Sequence, residues 1–363
     1  MAWAQIMGAG SVRYHRDTVL DRADDFPGQT LAYYGSRGET PMTWGGAGAA
    51  RLGLTGTVTH KTYGAVFAEG GARDPVLGTR LVNTKRPGLE LVVSAHKTVA
   101  ILGVVGRADD MHRILDAETD ATLAFLDAWV TKQGGRRGKR EIRTATSGLI
   151  YGRTRHATSR AGDPNPHDHV LVANLVEMLD DRGGWKGLDT AGVRDMVHAA
   201  TAVGRLHAAW EARQLGYGIT PDHGPSGKLD HFAITSIPEA VCRLFSKRSD
   251  QIDEDAGPDA SYRLRSRLAR SNRPDKDDDH TPEQIMDRWH GELDAIGHTP
   301  TSILDSIERS APARRPAERL SERELAELVG WVLSPTGPLA GDKRFGRAEV
   351  IRHLAPKLHG RHP

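Results

Sequence analysis

Residues 151–176, YGRTRHATSRAGDPNPHDHVLVANLV, restrict the fold more than any other stretch of the chain. Two runs rich in β-branched and apolar residues flank RAGDPNP, which is dense in turn formers. That pattern predicts two neighbouring antiparallel strands turning near Gly162 and Asp163. Side chains two apart on a strand share a face, so His167 and His169 project together and Asp168 points the other way. The returning strand then brings His156 level with that pair, and three imidazoles converge. Three neutral nitrogens leave coordination positions open, which suits a divalent metal that also takes water or a substrate oxygen. Spacing alone does not establish such a site, because 17 histidines in 363 residues produce about one His-x-His triplet by chance.

The rest of the chain places this hairpin in a mixed fold. GLELVVSAHKTVAILGVVG, from Gly88 to Gly106, begins with the alternating Leu89, Leu91 and Val93 of a strand. After SAHK it shifts to a denser apolar run that predicts a helix. Met111, Ile114, Leu115, Leu123, Leu126 and Val130 follow at helical spacing, and QGGRRGKR then reads as an exposed loop. Residues 190–215 predict a further helix and LGYGI a strand. The chain after Ser246 is charged, Pro-punctuated and helical in places, with Arg309–Ser321 as the best linker candidate. No internal repeat is evident.

Composition excludes several classes. With 26% charged and 38% hydrophobic residues the chain has the make-up of an ordinary globular protein, and its length suits one large domain plus appended segments, or two domains. A single cysteine, Cys242, rules out a disulfide framework. No apolar run is long enough to span a bilayer and the N-terminus lacks a secretory pattern, so a cytoplasmic location is expected. Net charge is only +2, yet Arg136–Arg160 holds eight basic residues against one acid, and Tyr262–Arg273 holds five arginines and no acid. Phosphates respond to such local patches within a Debye length of roughly 8–10 Å, although each patch alone is equally a solvated face.

In chain order, LGLTGTV, GLELVVSAHKTV, TSGLIYGRTRHATSRAGDPNPHDHVLVANLV, QLGYGI and FSKRSDQI resemble segments of conjugative relaxases. These form the class, within the broader HUH endonuclease group, whose relaxase domain is usually followed by a helicase. The similarity runs from about Tyr14 to about His298 and is most specific between Arg155 and Asn174. It implies an α+β fold: a central antiparallel sheet with flanking helices, and a mostly helical part from about residue 190 that covers the DNA. It implies that His156, His167 and His169 hold a divalent ion such as Mg, Mn or Zn, and that an N-terminal tyrosine attacks DNA. A tyrosine hydroxyl suits a reversible cut, since it conserves the phosphodiester energy as a 5'-phosphotyrosine until the ends are rejoined.

Family members carry two N-terminal tyrosine sites, commonly doublets. AYYGSRGETPMTWGGAGAARLGL resembles the second and places Tyr33 and Tyr34 there, while SVRYHRDTV places Tyr14 at the first, followed by His15 in place of another tyrosine. Tyr14 is the first choice as nucleophile, with Tyr33 as the competitor. Glu90 stands where the family has an acid, usually Asp, that orients a metal histidine and takes part in tyrosine deprotonation; the glutamate is one methylene longer. Lys97, Arg155 and Arg160 are implied phosphate contacts. Trp44, Trp185, Trp210 and Trp289 are available for base stacking.

The implied partner is single-stranded or cruciform origin-of-transfer DNA, together with accessory transfer proteins. The expected division is a nicking domain over residues 1–300, and over 301–363 a linker and the start of a helicase-like domain, which Ser334–Leu358 resembles. No Gly-x-x-x-x-Gly-Lys-Ser/Thr motif occurs, so these residues should hydrolyse no ATP. Two rival readings are a rolling-circle replication initiator with the same chemistry and a non-enzymatic DNA-binding protein with a structural metal.

Overall fold

A computed structural model describes residues 3–17, 40–130, 132–137, 140–159, 161–180, 183–223, 229–257, 264, 268, 281–311, 320–342 and 345–359. Its centre is a five-stranded antiparallel sheet built from β1 (Trp3–Ile6), β2 (Thr43–Gly45), β3 (Gly88–Ser94), β6 (Tyr151–Thr158) and β7 (Pro164–Ala173). Spatial order is β1-β3-β7-β6-β2, so the β6–β7 hairpin sits inside the sheet with neighbours on both sides. Burial on both faces explains why β3 and the second half of β7 read as nearly unbroken apolar runs.

Helices cover one face. The intervening elements are α1 (Ala9–His15), α2 (His60–Val66), α3 (Lys97–Val104), α4 (Ala108–Val130), and a separate two-stranded ribbon of β4 (Lys132–Arg137) and β5 (Arg140–Ala145). After the short β8 (Val176–Glu177) and β9 (Trp185–Lys186) comes α5 (Thr190–Gln214). Helix α4 carries apolar residues three and four apart, with Asp109 and Asp110 in its first turn, where negative charge complements the helix dipole. Leu115, Leu123 and Leu126 of α4 and Val193, Met196 and Val197 of α5 pack under Leu89, Leu91, Val93, Val170 and Val172 of the sheet. Each such side chain, fully buried, contributes roughly 1.5–3 kcal/mol. The two helices approach most closely at Gly204, where an added Cβ would collide with Thr122 Oγ1 and the Glu118 carbonyl.

The opposite face is only partly covered. Met42, Trp44, Tyr63, Val66 and Phe67 pack on Leu171 and Ala173 at one end of the sheet. At the other end the same face carries His167, His169 and His156.

The C-terminal half is a β-ribbon, β10 (Ile219–His223) with β11 (Leu229–Ile234), followed by helices α6 (Glu239–Leu244), α7 (Lys247–Ala256), α8 (Pro282–Ala295), α9 (Pro300–Ser310), α10 (Glu322–Val332) and α11 (Arg347–Leu354). Helix α8 starts as its sequence dictates, with Pro282 in the first turn and a reciprocal Thr281–Gln284 capping box. Phe232, Phe245, Trp289, Leu293, Ile303 and Ile307 form one cluster with Val99, Ile101 and Leu102 of α3. The predicted division at residue 300 therefore falls just before two residues that join this core, and α11 packs on α5. No described helix is long and apolar enough to cross a membrane.

Two predicted elements change. Of QGGRRGKR, read as a loop, Gln133–Arg137 and Arg140 lie in the β4–β5 ribbon, where Gly134 pairs with Arg143 and Gly135 with Ile142. LGYGI, read as a strand, is a turn and irregular chain up to Gly218, and only its last residue, Ile219, belongs to β10. The linker candidate lies largely outside the described residues.

Candidate metal centre and tyrosine helix

The hairpin register decides where the histidines meet. His156 pairs directly with His167 across β6 and β7, while Val92 and Ser94 of β3 pair with His169 and His167. All three imidazoles thus stand on one face, with ring centroids 4.8 Å (His156–His169), 5.0 Å (His167–His169) and 5.4 Å (His156–His167) apart. One nitrogen from each lies within 4.8 Å of the others, a spacing that admits a single cation between them. Burial, reinforced by the neighbouring His169, pushes His167 down to about 4, so it is a neutral imidazole at physiological pH. His167 Nδ1 lies 2.7 Å from the Asn165 carbonyl, which fixes the ring. A donor set of three imidazole nitrogens fits a divalent transition metal.

Asp168 locks this strand from behind. Fully buried between the two ligand histidines on the other face, it accepts from Arg155 Nε at 2.7 Å, Arg153 Nη2 at 2.7 Å and Thr119 Oγ1 at 2.6 Å. Arg155 and Arg153 also reach Asp116, and Arg153 reaches Asp120, both on α4. Burial alone would raise the Asp168 pKa, but the hydrogen bond and charge of Arg155 with the charge of Arg153 hold it below the usual carboxylate range. Arg155, expected at a phosphate, is therefore consumed in this network on the face opposite the histidines. Its neighbour His156 takes the other side, as strand alternation requires.

Glu90 completes the histidine face. Its Oε1 lies 2.7 Å from His169 Nδ1 and 3.1 Å from His15 Nε2, and its Oε2 accepts from Gln5 at 2.5 Å. Burial opposes its ionisation, but the hydrogen bonds and charges of His15 and His169 outweigh that and hold the carboxyl well below its ordinary range. A carboxylate on the distal nitrogen of an imidazole fixes the tautomer and raises ligand basicity. Tyr14 is half-buried on α1, its ring edge-on to His15 at 5.3 Å, and His15 stands 5.3 Å from His169. The helix is held from below by Tyr63, whose hydroxyl donates to the Val12 carbonyl at 3.0 Å.

Other predicted residues distribute differently. Lys97 donates to the Pro164 carbonyl at 2.8 Å, at the turn end of β7 instead of among the histidines. Burial lowers its pKa, opposed by Asp163. Tyr33, Tyr34 and Arg160 lie outside the described residues. Trp44 stacks on Phe67 in the core and Trp289 is buried with its Nε1 on the Gly162 carbonyl at 2.9 Å, so neither is a stacking platform. Neither His15 nor Gln5 belongs to a recognisable motif of its own; the signal for His15 is its place directly after Tyr14.

An antiparallel sheet whose central hairpin gathers three imidazoles beside a buried carboxylate and a tyrosine-bearing helix is the architecture of the HUH group. Within that group the assignment is specific: the TrwC relaxase family model matches residues 9–296, and the chain belongs to that family. Among curated proteins it is similar to the multifunctional conjugation protein TraI of Escherichia coli, 29% identical over 300 residues. The TraI protein of strain K12 is also 29% identical, over 333 residues. The alignments cover 78% and 86% of this chain but only 16% and 17% of those proteins. Among solved structures, conjugative relaxase TrwC in complex with oriT DNA, metal-bound, superposes with a TM-score of 0.66 at 22% identity, covering 83% of this chain and all of that one. A copper-bound TrwC complex gives 0.64 at 23% identity with the same coverage. At that identity the likeness concerns the fold.

Proposed function

We propose that the chain nicks one strand of an origin-of-transfer DNA by tyrosine transesterification and later rejoins it. The observation that carries this is the one sheet face on which His156, His167, His169, Glu90 and the Tyr14 helix meet. The TrwC structures are complexes with oriT DNA, and TraI is a conjugation protein.

His156, His167 and His169 would hold the metal, which supplies charge stabilisation at a nonbridging phosphate oxygen. Tyr14 is the nucleophile: its hydroxyl gives up its proton as the oxygen bonds to phosphorus, the bond from phosphorus to the 3'-oxygen breaks, that oxygen takes up a proton to leave as the 3'-hydroxyl, and the 5' phosphate stays on the phenolic oxygen. Glu90 holds His169 with Nδ1–H toward its carboxylate, leaving Nε2 as the ligand atom. The reverse attack by the 3'-hydroxyl restores the strand without external energy. We read residues 1–300 as the nicking unit, with Lys97 and Arg160 as candidate phosphate contacts and Arg155 as a structural cation. Tyr33 and Tyr34 are the candidates for a second strand transfer.

The deciding experiment mixes the protein with divalent metal and an oligonucleotide carrying the cognate origin sequence, then resolves products on a denaturing gel. A covalent protein–DNA band that Tyr14→Phe abolishes is the expected result. A band lost only in Tyr33→Phe reassigns the nucleophile, and no band in any form rejects the reading.

A further inference from the structure

We propose that His15 is a positioning residue: it clamps the Glu90 carboxylate against His169 and so ties the helix carrying Tyr14 to the histidine triad. This rests on the nicking function above and on Tyr14 as its nucleophile.

The hydrogen-bond directions carry the inference. Glu90 Oε1 lies between two imidazole nitrogens, 2.7 Å from His169 Nδ1 and 3.1 Å from His15 Nε2. An ionised carboxylate only accepts, so both nitrogens carry hydrogen. His169 is thereby left with its lone pair on Nε2 for a metal. His15 is left with its lone pair on Nδ1, a buried atom without a hydrogen-bond partner among the described residues. Its side chain is 1% exposed, and among the described residues the ring hydrogen-bonds to Glu90 alone. Buried polar groups are normally satisfied, so a buried imidazole kept for a single bond points to the importance of that bond.

Helix α1 has other ties as well, with Val12 packed against the cluster of Met42, Tyr63 and Phe67. Ser11, also on α1, approaches Glu90 Oε2 at 3.5 Å, and the Tyr63 hydroxyl holds the Val12 carbonyl. Successive residues on a helix differ by about 100° in direction, so turning His15 inward to Glu90 fixes where Tyr14 points. A reacting group displaced by about 1 Å can lose a hundredfold in rate, which makes this orientation worth fixing.

The test compares wild type with His15→Phe, which keeps a ring and removes the donor, and His15→Gln, which restores an N–H donor. Measurements are the rate of covalent adduct formation at saturating oligonucleotide, oligonucleotide affinity, zinc affinity by calorimetry, and the unfolding midpoint. His15→Phe should slow adduct formation at least tenfold and weaken zinc binding severalfold, with oligonucleotide affinity unchanged within about twofold; His15→Gln should recover most of both losses. In a Glu90→Gln background, His15→Phe should add no further loss, because both act through one contact. An undiminished rate in His15→Phe, equal impairment in Phe and Gln variants, or a full additional loss in the Glu90→Gln background overturns the proposal. If His15→Phe lowers the unfolding midpoint, the Gln variant and the Glu90→Gln comparison decide. An adduct that persists in Tyr14→Phe rejects Tyr14 as nucleophile separately, and the zinc-affinity arm then decides on His15.

Discussion

At Glu90 and the three histidines, side-chain chemistry alone sets what can bind. An all-imidazole site favours zinc, nickel or copper over magnesium, whose preference is for oxygen. Calorimetry should therefore show zinc bound at least a hundredfold more tightly than magnesium, and His167→Ala should abolish both zinc binding and adduct formation while oligonucleotide affinity stays within about threefold, since contacts along the strand carry affinity. Undiminished metal-dependent nicking by His167→Ala would reject the ligand assignment. Cys242 will not compete for that metal: burial pushes its thiol up to about 11, above the ordinary value near 9. Alkylation by iodoacetamide at pH 8 should be about a hundredfold slower than for a free thiol of that ordinary value and should rise tenfold per pH unit, because a raised pKa leaves less thiolate at any pH below it. The three histidines were legible from alternation and turn residues, and Arg155 was misread although the same alternation puts it opposite His156. His15 was legible only as a departure from a doublet, because its partner Glu90 lies 75 residues away.

The β6–β7 hairpin shows how an element holds a site it does not complete. Its apolar second half anchors β7 in the core, while Asp168 fastens the first half to α4 through Arg153, Arg155 and Thr119. Replacing Asp168 by Asn leaves two arginines short of their buried counter-charge and should cost about 3 kcal/mol in urea unfolding. The sign with pH follows from the lowered carboxyl: the folded form binds its proton less readily than the unfolded chain. The stabilisation is complete above the unfolded carboxylate value of about 3.9 and is lost as pH falls through the folded one, so wild type and Asp168→Asn should converge only in strong acid. Equal stability at pH 7 would contradict this account. The strand pair was readable because its signals are local. The β4–β5 ribbon was not, because glycines that signal a loop are equally tolerated where two short strands pair outside the main sheet.

The whole molecule closes on itself through its C-terminal helices. Helix α11 rests on α5, so removing the residues after 311 should lower the unfolding midpoint by several degrees yet leave adduct formation within about twofold, because among the described residues the histidine face draws none from that segment. A tenfold loss of adduct would show that the segment belongs to the site. Sequence periodicity foresaw these helices but not which core they join, since helix spacing is local and docking depends on shape across the fold. The reverse dependence is carried by α8. Gly162, at φ +75° in the hairpin turn, offers its carbonyl to Arg288 at 2.7 Å and Trp289 at 2.9 Å, and an added Cβ there would collide with Arg288. On a ribosome adding 5–20 residues per second, those two anchors emerge roughly 6–25 s after the turn they hold. A nascent chain thus carries its ligand histidines well before the turn between their strands is pinned.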